Sequence, residues 1–282
     1  MSVINTNVSA LYSQNAMKTN ARAMNSAMEQ LSTGTRINAA KDDAAGLAIG
    51  QSMTSQIRGL NQAVRNANDG VNMMQTAEGA MVEQSNMLQR MRELAVQASN
   101  GTYSDAQRSY LHVEFSALTT QISNVATQTT WNGTSVLTGD NTNSISGVSG
   151  DFQFQIGQNS GQTLSVHIGS MDVGATGLAI SGLAVSSASA ASLSITTIDT
   201  ALDKINQQRA AIGAGINQLS YAADNMTNIS ANVTQSRSTI MDTDYALAST
   251  QLAKTQILQQ ASTAMLAQAN QQAQGVMALL KG

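Results

Sequence analysis

The sequence predicts a mainly α fold: long antiparallel coiled-coil-like helices formed by paired N- and C-terminal regions, with a small β-hairpin or irregular middle region. Three observations predict it. Apolar residues recur on an alternating three-and-four spacing in both halves of the chain, the pattern of a helical seam. None of the 282 residues is Pro, so no helix is forcibly interrupted. Between about residues 131 and 191 the composition shifts to Gly, Ser and Thr, and the three-and-four rhythm stops.

The longest seam lies between Ile57 and Ala98. It uses Ile57, Leu60, Val64, Ala67, Val71, Met74, Met81, Leu88 and Ala95, with Glu78, Ser85 and Arg92 as exceptions. Gly59, Gly70 and Gly79 weaken this helix by roughly 1 kcal/mol each relative to Ala but do not end it. Upstream, Val3, Ala10, Met17, Met24 and Leu31 are spaced by sevens, predicting an amphipathic helix over most of 5–32, with Asn7 and Gln14 intruding on its seam. Ser32-Thr33-Gly34-Thr35 reads as its stop. Residues 36–43 look irregular, with Asp43 placed to cap the next helix.

Asn100-Gly101 ends the long helix. Ser104 with Gln107 resembles a capping box, and Leu111, Phe115, Leu118, Ile122 and Val125 give a third helix its seam. Asn132-Gly133 signals a turn. Phe152, Phe154 and Ile156 alternate with polar residues, as do Leu164, Val166 and Ile168, with Gly157 to Gly161 between them: a β-hairpin. Leu178/Ile180 and Leu183/Val185 suggest further short strands, although such composition also suits a mobile surface loop. Helical rhythm returns at Ile198, Leu202, Ile205, Ile212, Ile216, Leu219, Ala223, Met226 and Val233, interrupted by Arg209 and Ser230. A last segment carries Leu258, Met265, Ala269, Val276 and Leu279.

Composition narrows the function classes. Aromatic residues make up 3% and charged residues 11% of the chain, a core material suited to thin helix–helix packing rather than an enzyme interior. The net charge of −3 supplies no basic stripe for nucleic acid and no patch for a membrane surface. Without Cys there are no disulfides and no thiolate metal sites. No apolar run is long enough to span a bilayer, and residues 1–20 show no secretory signal peptide, which taken alone argues for the cytoplasm. The carboxylates of Lys41-Asp42-Asp43 and of Asp242 and Asp244 read as helix caps and turn charges rather than a catalytic or Mg²⁺ pair. His112 and His167 stand alone, so neither a triad nor a zinc site assembles. No cofactor, metal or catalytic residue is expected. A seam of about 30 residues with no partner is marginal in water; the two ends are therefore expected to be disordered in a monomer and to fold on assembly.

At this point the residues resemble a family. Val3-Ile4-Asn5-Thr6-Asn7, the segment from Gln30 to Asn38, Lys41-Asp42-Asp43-Ala44-Ala45-Gly46 and Trp131-Asn132-Gly133 look like bacterial flagellin. So do the runs Ser236 to Asp244, Lys254 to Gln260 and Ala264 to Gln271. The likeness covers roughly 1–139 and 198–282. Where the family usually has Pro stands Ala273, and where it often has Glu stands Ala248.

The resemblance implies a subunit exported unfolded through the flagellar type III channel and polymerised beneath a cap into a filament outside the cell, reversing the cytoplasmic default. It implies as partners further copies of the chain, an export chaperone, and cap and hook–filament junction proteins. The implied division is 1–42 and 242–282 as halves of an inner-tube domain, 43–139 and 198–241 as a helical rod, and 140–197 as a short solvent-facing region. Val3, Ala10, Met17, Met24, Leu31, Leu258, Met265, Ala269, Val276 and Leu279 are the expected polymerisation seams. The run from Gln89 to Val96 resembles the surface recognised by host Toll-like receptor 5. Gln89, Arg90, Arg92, Glu93 and Leu94 are its candidate contacts, and Glu114 is the matching acidic one; Leu118 stands where recognised flagellins often carry Arg.

Overall fold

A computed structural model describes residues 7–139 and 150–281, except for the side chains of 272–281. Its described residues form five helices, α1 (Val8–Thr33), α2 (Ala44–Ser99), α3 (Asp105–Gln128), α4 (Ala188–Met241) and α5 (Tyr245–Lys281). They also form two antiparallel hairpins, β1 (Thr130–Trp131) with β2 (Thr134–Ser135), and β3 (Asp151–Gln155) with β4 (Thr163–His167). The mainly α class is as the sequence predicts.

The helix ends show why these segments are helical. Asn7, an intruder in the α1 seam, is its cap: its Oδ1 accepts from the Ala10 amide at 3.0 Å, and its Nδ2 donates to the Ala269 carbonyl of α5 at 3.1 Å. Gly34 ends α1 in the left-handed conformation at φ 72°, its amide bonded to the Gln30 carbonyl, a conformation glycine adopts without steric cost. Asp43 Oδ1 accepts from the Gly46 amide at 2.9 Å and opens α2. Asp244 Oδ1 accepts from the amides of Ala246 and Leu247 and opens α5. Ser104 and Gln107 form the predicted capping box of α3. Asn132 and Gly133 both take positive φ, 49° and 79°, as the two-residue turn between β1 and β2 requires.

The chain divides into two compact units, 1–57 with 232–282, and 58–231. In the second, residues from α2, α3, α4, β4 and the loop after it share one core. The α2 seam is broader than the narrow stripe predicted. Ala63, Met73, Ala77, Met91, Leu94 and Ala98 are buried beside the predicted Leu60, Ala67, Met74, Met81, Leu88 and Ala95. The reason is coverage, because elements on more than one side pack against this helix.

Four of the five polar exceptions to the seams find partners between α2 and α4. Glu78 of α2 and Arg209 of α4 form an ion pair at 3.5 Å. Arg92 of α2 meets Asp199 of α4 at 2.6 Å. Ser230 of α4 donates to Asn61 Oδ1 at 3.1 Å. Mispaired registers would separate these groups, so they fix the axial alignment of α2 against α4.

The predicted larger hairpin forms, with Phe152 opposite Val166 and Phe154 opposite Leu164. Its base is tied to α4 by Gln208, which donates to the His167 carbonyl at 2.8 Å and accepts from the Gly169 amide at 3.2 Å. The expected strands at Leu178/Ile180 and Leu183/Val185 do not form. This segment instead bonds back on itself, with Leu178 N to Asp172 O, Ala179 N to Gly174 O and Ser181 N to Val173 O. Lys204 Nζ holds the Gly177 carbonyl at 2.8 Å. Leu178, Ile180 and Val185 are buried, so apolar alternation here serves a coiled loop packed on the core. Helix α4 also starts at Ala188, ten residues before the first seam residue read from sequence; Ser187 Oγ accepts from the Ala190 amide at 3.3 Å.

Candidate functional site

In the first unit α1 packs along α5. On α1, Ala10, Met17, Met24 and Leu31 are all half-buried and Ala27 is fully buried, the spacing expected of its seam. On α5 the inward face is a different one. Ala248, Thr255 and Ala269 are buried, and Leu252, Gln259, Ser262 and Leu266 are half-buried. Asn20 of α1 donates to the Thr255 carbonyl at 2.7 Å and to Gln259 Oε1 at 3.2 Å. Of the expected α5 seam residues, Ala269 lies inward, whereas Leu258 and Met265 are 44% and 62% exposed. Val3 lies outside the described residues, as do the side chains of Val276 and Leu279.

The outcome is a helix pair whose fully buried residues, among those described, are the small Ala27, Ala248, Thr255 and Ala269. Met17, Met24, Leu31, Leu252 and Leu266 are only half covered, while other large apolar side chains stay exposed among polar ones. Leu247, Ile257, Leu258 and Met265 of α5, with Leu11, Tyr12 and Met28 of α1, are exposed. A groove of about 420 Å³ runs beside Val8, Leu11, Tyr12, Gln14, Asn15 and Lys18.

The connectors beside this pair were not legible in the sequence. Thr35 bridges Asp242, the Arg36 amide donates to the Met241 carbonyl at 2.7 Å, and the Thr243 amide donates to the Gly34 carbonyl at 3.0 Å. Arg36 adds a guanidinium bond to the Ile240 carbonyl at 2.7 Å.

The second unit carries a charged patch built from α2 and α3. Arg90 donates through Nε to Glu114 Oε1 at 2.9 Å and through Nη1 to Glu93 Oε2 at 3.0 Å. All three side chains are about half exposed or more. Hydrogen bonds to Glu93 and then Glu114 hold the Arg90 guanidinium above its ordinary pKa; a hydrogen bond to Asp199 does the same for Arg92. Gln89, Arg92 and Glu93, with Val96, Gln97 and Tyr103, line a shallow groove of about 600 Å³. Gln97 Nε2 donates to the Tyr103 hydroxyl at 3.0 Å across its end.

One candidate contact is placed elsewhere. Leu94 is 1% exposed and belongs to the core, because it falls on the inward stripe of α2. The apolar residue that does reach the surface is Val96, the last of the run but not among its candidate contacts. Leu118 is half-buried against the core.

Other polar groups settle into structural roles. His167 Nδ1 lies 2.7 Å from Asp151 Oδ1, directly across the hairpin, and His112 stacks on Phe115 with ring centroids 6.5 Å apart. Asp42 Oδ2 accepts from the amides of Asn38 and Ala39, and Asp242 accepts from the Ser238 hydroxyl at 2.7 Å. Among the described residues no three His, Cys, Asp or Glu side chains gather as a metal site, and no helix is long and apolar enough to cross a membrane.

Residues 4–142 match the family "Bacterial flagellin N-terminal helical region", and 195–280 match "Bacterial flagellin C-terminal helical region". The chain belongs to the bacterial flagellin family. It is 41% identical to "Flagellar filament 31.3 kDa core protein" of Treponema maltophilum over 99% of this chain and all of that one. It is 40% identical to "Flagellin" of Halalkalibacterium halodurans, again over 99% of this chain and all of that one. Among solved structures, "Structure of putative flagellar hook-associated protein from Vibrio parahaemolyticus" is similar at a TM-score of 0.58 and 14% identity, covering 71% of this chain and 99% of that one. That likeness concerns the fold alone.

Proposed function

We propose that this flagellin is the structural subunit of a bacterial flagellar filament, a homopolymer outside the cell that serves motility, with no enzymatic activity. The observation that carries the proposal is the thinly packed α1–α5 pair. Its inner face buries few large side chains, so it gains little from pairing alone, while its outer face presents Leu247, Ile257, Leu258 and Met265. Each large apolar side chain fully buried contributes roughly 1.5–3 kcal/mol, and a neighbouring copy is the partner that would bury them. In this reading 1–42 and 242–282 form the inner tube, and 43–139 with 198–241 form the rod. Residues 140–197 form a short solvent-side region, whose described part folds onto the rod helices. An export chaperone, a cap and hook–filament junction proteins are the further partners, and the ends order as the subunit joins the tube.

Seeding purified subunit with filament fragments tests this. Continued elongation supports the filament subunit; binding without growth points to a junction protein of the same superfamily.

The charged patch supports a second reading, recognition by host Toll-like receptor 5. Glu93 and Glu114 hold Arg90 in one orientation, presenting a rigid guanidinium beside the groove edged by Gln89, Arg92 and Val96. Preorganised Arg beside an apolar edge suits a small hot spot. Leu94 supports this patch from beneath. A receptor reporter assay comparing wild type with Arg90→Ala tests it: equal signals, or none from wild type, refute the reading.

A further inference from the structure

We propose that the Met265 thioether is a modification site, oxidised by hydroperoxides in the unassembled subunit, and that its sulfoxide blocks docking of a neighbouring copy. The docking half rests on the filament reading above.

The described methionines are graded in burial, with Met53, Met87 and Met241 half-buried. Met74, Met81 and Met91 are sealed in the core of the second unit, and Met73, Met171 and Met226 are nearly so. Met17 and Met24 are half-covered by the α1–α5 pairing. Met265 is the most open of the described set, ahead of Met28. It stands on the outward row of α5 two turns after Leu258.

Susceptibility of a thioether follows access to its sulfur. A sulfur lone pair attacks one oxygen of the peroxide; an S–O bond forms and the O–O bond breaks. The departing oxygen takes up the proton and leaves as water when the oxidant is hydrogen peroxide. Sulfur loses two electrons and the peroxide gains them. The product replaces an apolar side chain by a polar acceptor. In a free subunit water solvates that acceptor, so the core of the second unit is untouched. Against an apolar neighbour it is buried without a donor, and burial without a hydrogen bond is unfavourable. The modification therefore acts on assembly rather than on the fold.

The test treats soluble subunit with hydrogen peroxide alone, then maps sulfoxides by peptide mass spectrometry and measures elongation from filament seeds. Met265 sulfoxide is expected to accumulate about tenfold faster than sulfoxides at Met74, Met81 or Met91. Elongation is expected to slow about tenfold, the scale of burying an unpartnered polar group. After the same treatment Met265→Leu should elongate faster than oxidised wild type, any residual loss tracing to Met28, Met17 and Met24, and a methionine sulfoxide reductase pair should restore the wild type. Filaments assembled first should keep Met265 unoxidised. Oxidation of Met265 no faster than the core methionines overturns the site. Normal elongation of oxidised wild type, or equal loss in Met265→Leu, overturns its effect on docking. If untreated wild type fails to elongate, the filament reading fails and the docking claim falls with it, while the oxidation map still decides the site.

Discussion

Two glycines of α2 put the same substitution in opposite environments. At Gly70 an added Cβ would lie 2.9 Å from Phe154 Cε1 and 3.0 Å from Leu219 Cδ1, where β3 and α4 close on the helix. At Gly79 it would meet nothing within 4 Å. Both changes to Ala gain the same intrinsic helix propensity, about 1 kcal/mol. Only Gly70→Ala overpacks a core, which costs about 1–3 kcal/mol. Gly79→Ala should therefore stabilise by about 1 kcal/mol, whereas Gly70→Ala should range from neutral to about 2 kcal/mol destabilising. The single Trp of the chain, Trp131, packs against the same core, so its fluorescence reports unfolding of this unit in urea. With a denaturant slope near 2 kcal/mol/M, the two midpoints should stand about 0.5–1.5 M apart with unchanged slopes. Coincident midpoints, or a Gly70→Ala midpoint above that of Gly79→Ala, would refute the packing argument.

Other outcomes follow from the same geometry. Leu94→Ala should destabilise the second unit by about 2–5 kcal/mol because the side chain is in the core, while Arg90→Ala should leave the Trp131 urea midpoint within error. A receptor signal lost only in Leu94→Ala would thus report unfolding, not contact. Asn20→Ala removes both bonds to α5, each worth about 1 kcal/mol, and should speed limited proteolysis near α1 and α5 in assembled filaments without moving the Trp131 transition of the subunit. The raised guanidinium of Arg92 favours its charged form in the fold, so its pairing with Asp199 is fully present below the ordinary Arg range and is lost only in strong alkali. Stability should not change between neutral and mildly alkaline pH on its account, whereas added salt should weaken this exposed pair; a fluorescence melt across both series checks the sign.

The sequence made helix positions plain because seams and caps are local properties. Asp43, Ser104, Gly34 and Asn132-Gly133 act within three or four residues of themselves, and each sits where its chemistry predicts. What was not legible was the direction of a face. Leu258 and Met265 share a spacing with Ala269, yet α5 turns Thr255 and Ala248 inward, an orientation that depends on the helix it packs against rather than on its own spacing. Burial of Leu94 failed to show for a related reason: the stripe on α2 widens only once its neighbours cover it. The segment after β4 reads in sequence as short strands or as a surface loop alike, because the partner groups that fold it, its own carbonyls and Lys204, lie outside any local pattern. The signal that could have been used lay in the interruptions: Glu78 and Arg209 break two seams with opposite charge, and they meet.

The connector between Gly34 and Arg36 grips the stretch from Met241 to Thr243 mainly through peptide groups. Such a clasp tolerates exchange of side chains only where the position neither needs a left-handed backbone, as Gly34 does, nor bonds through its side chain, as Arg36 does. Imino acids are a further exception, since one at position 36 or 243 would delete a donor that nothing else there replaces. A chain devoid of proline keeps every rung of that clasp available.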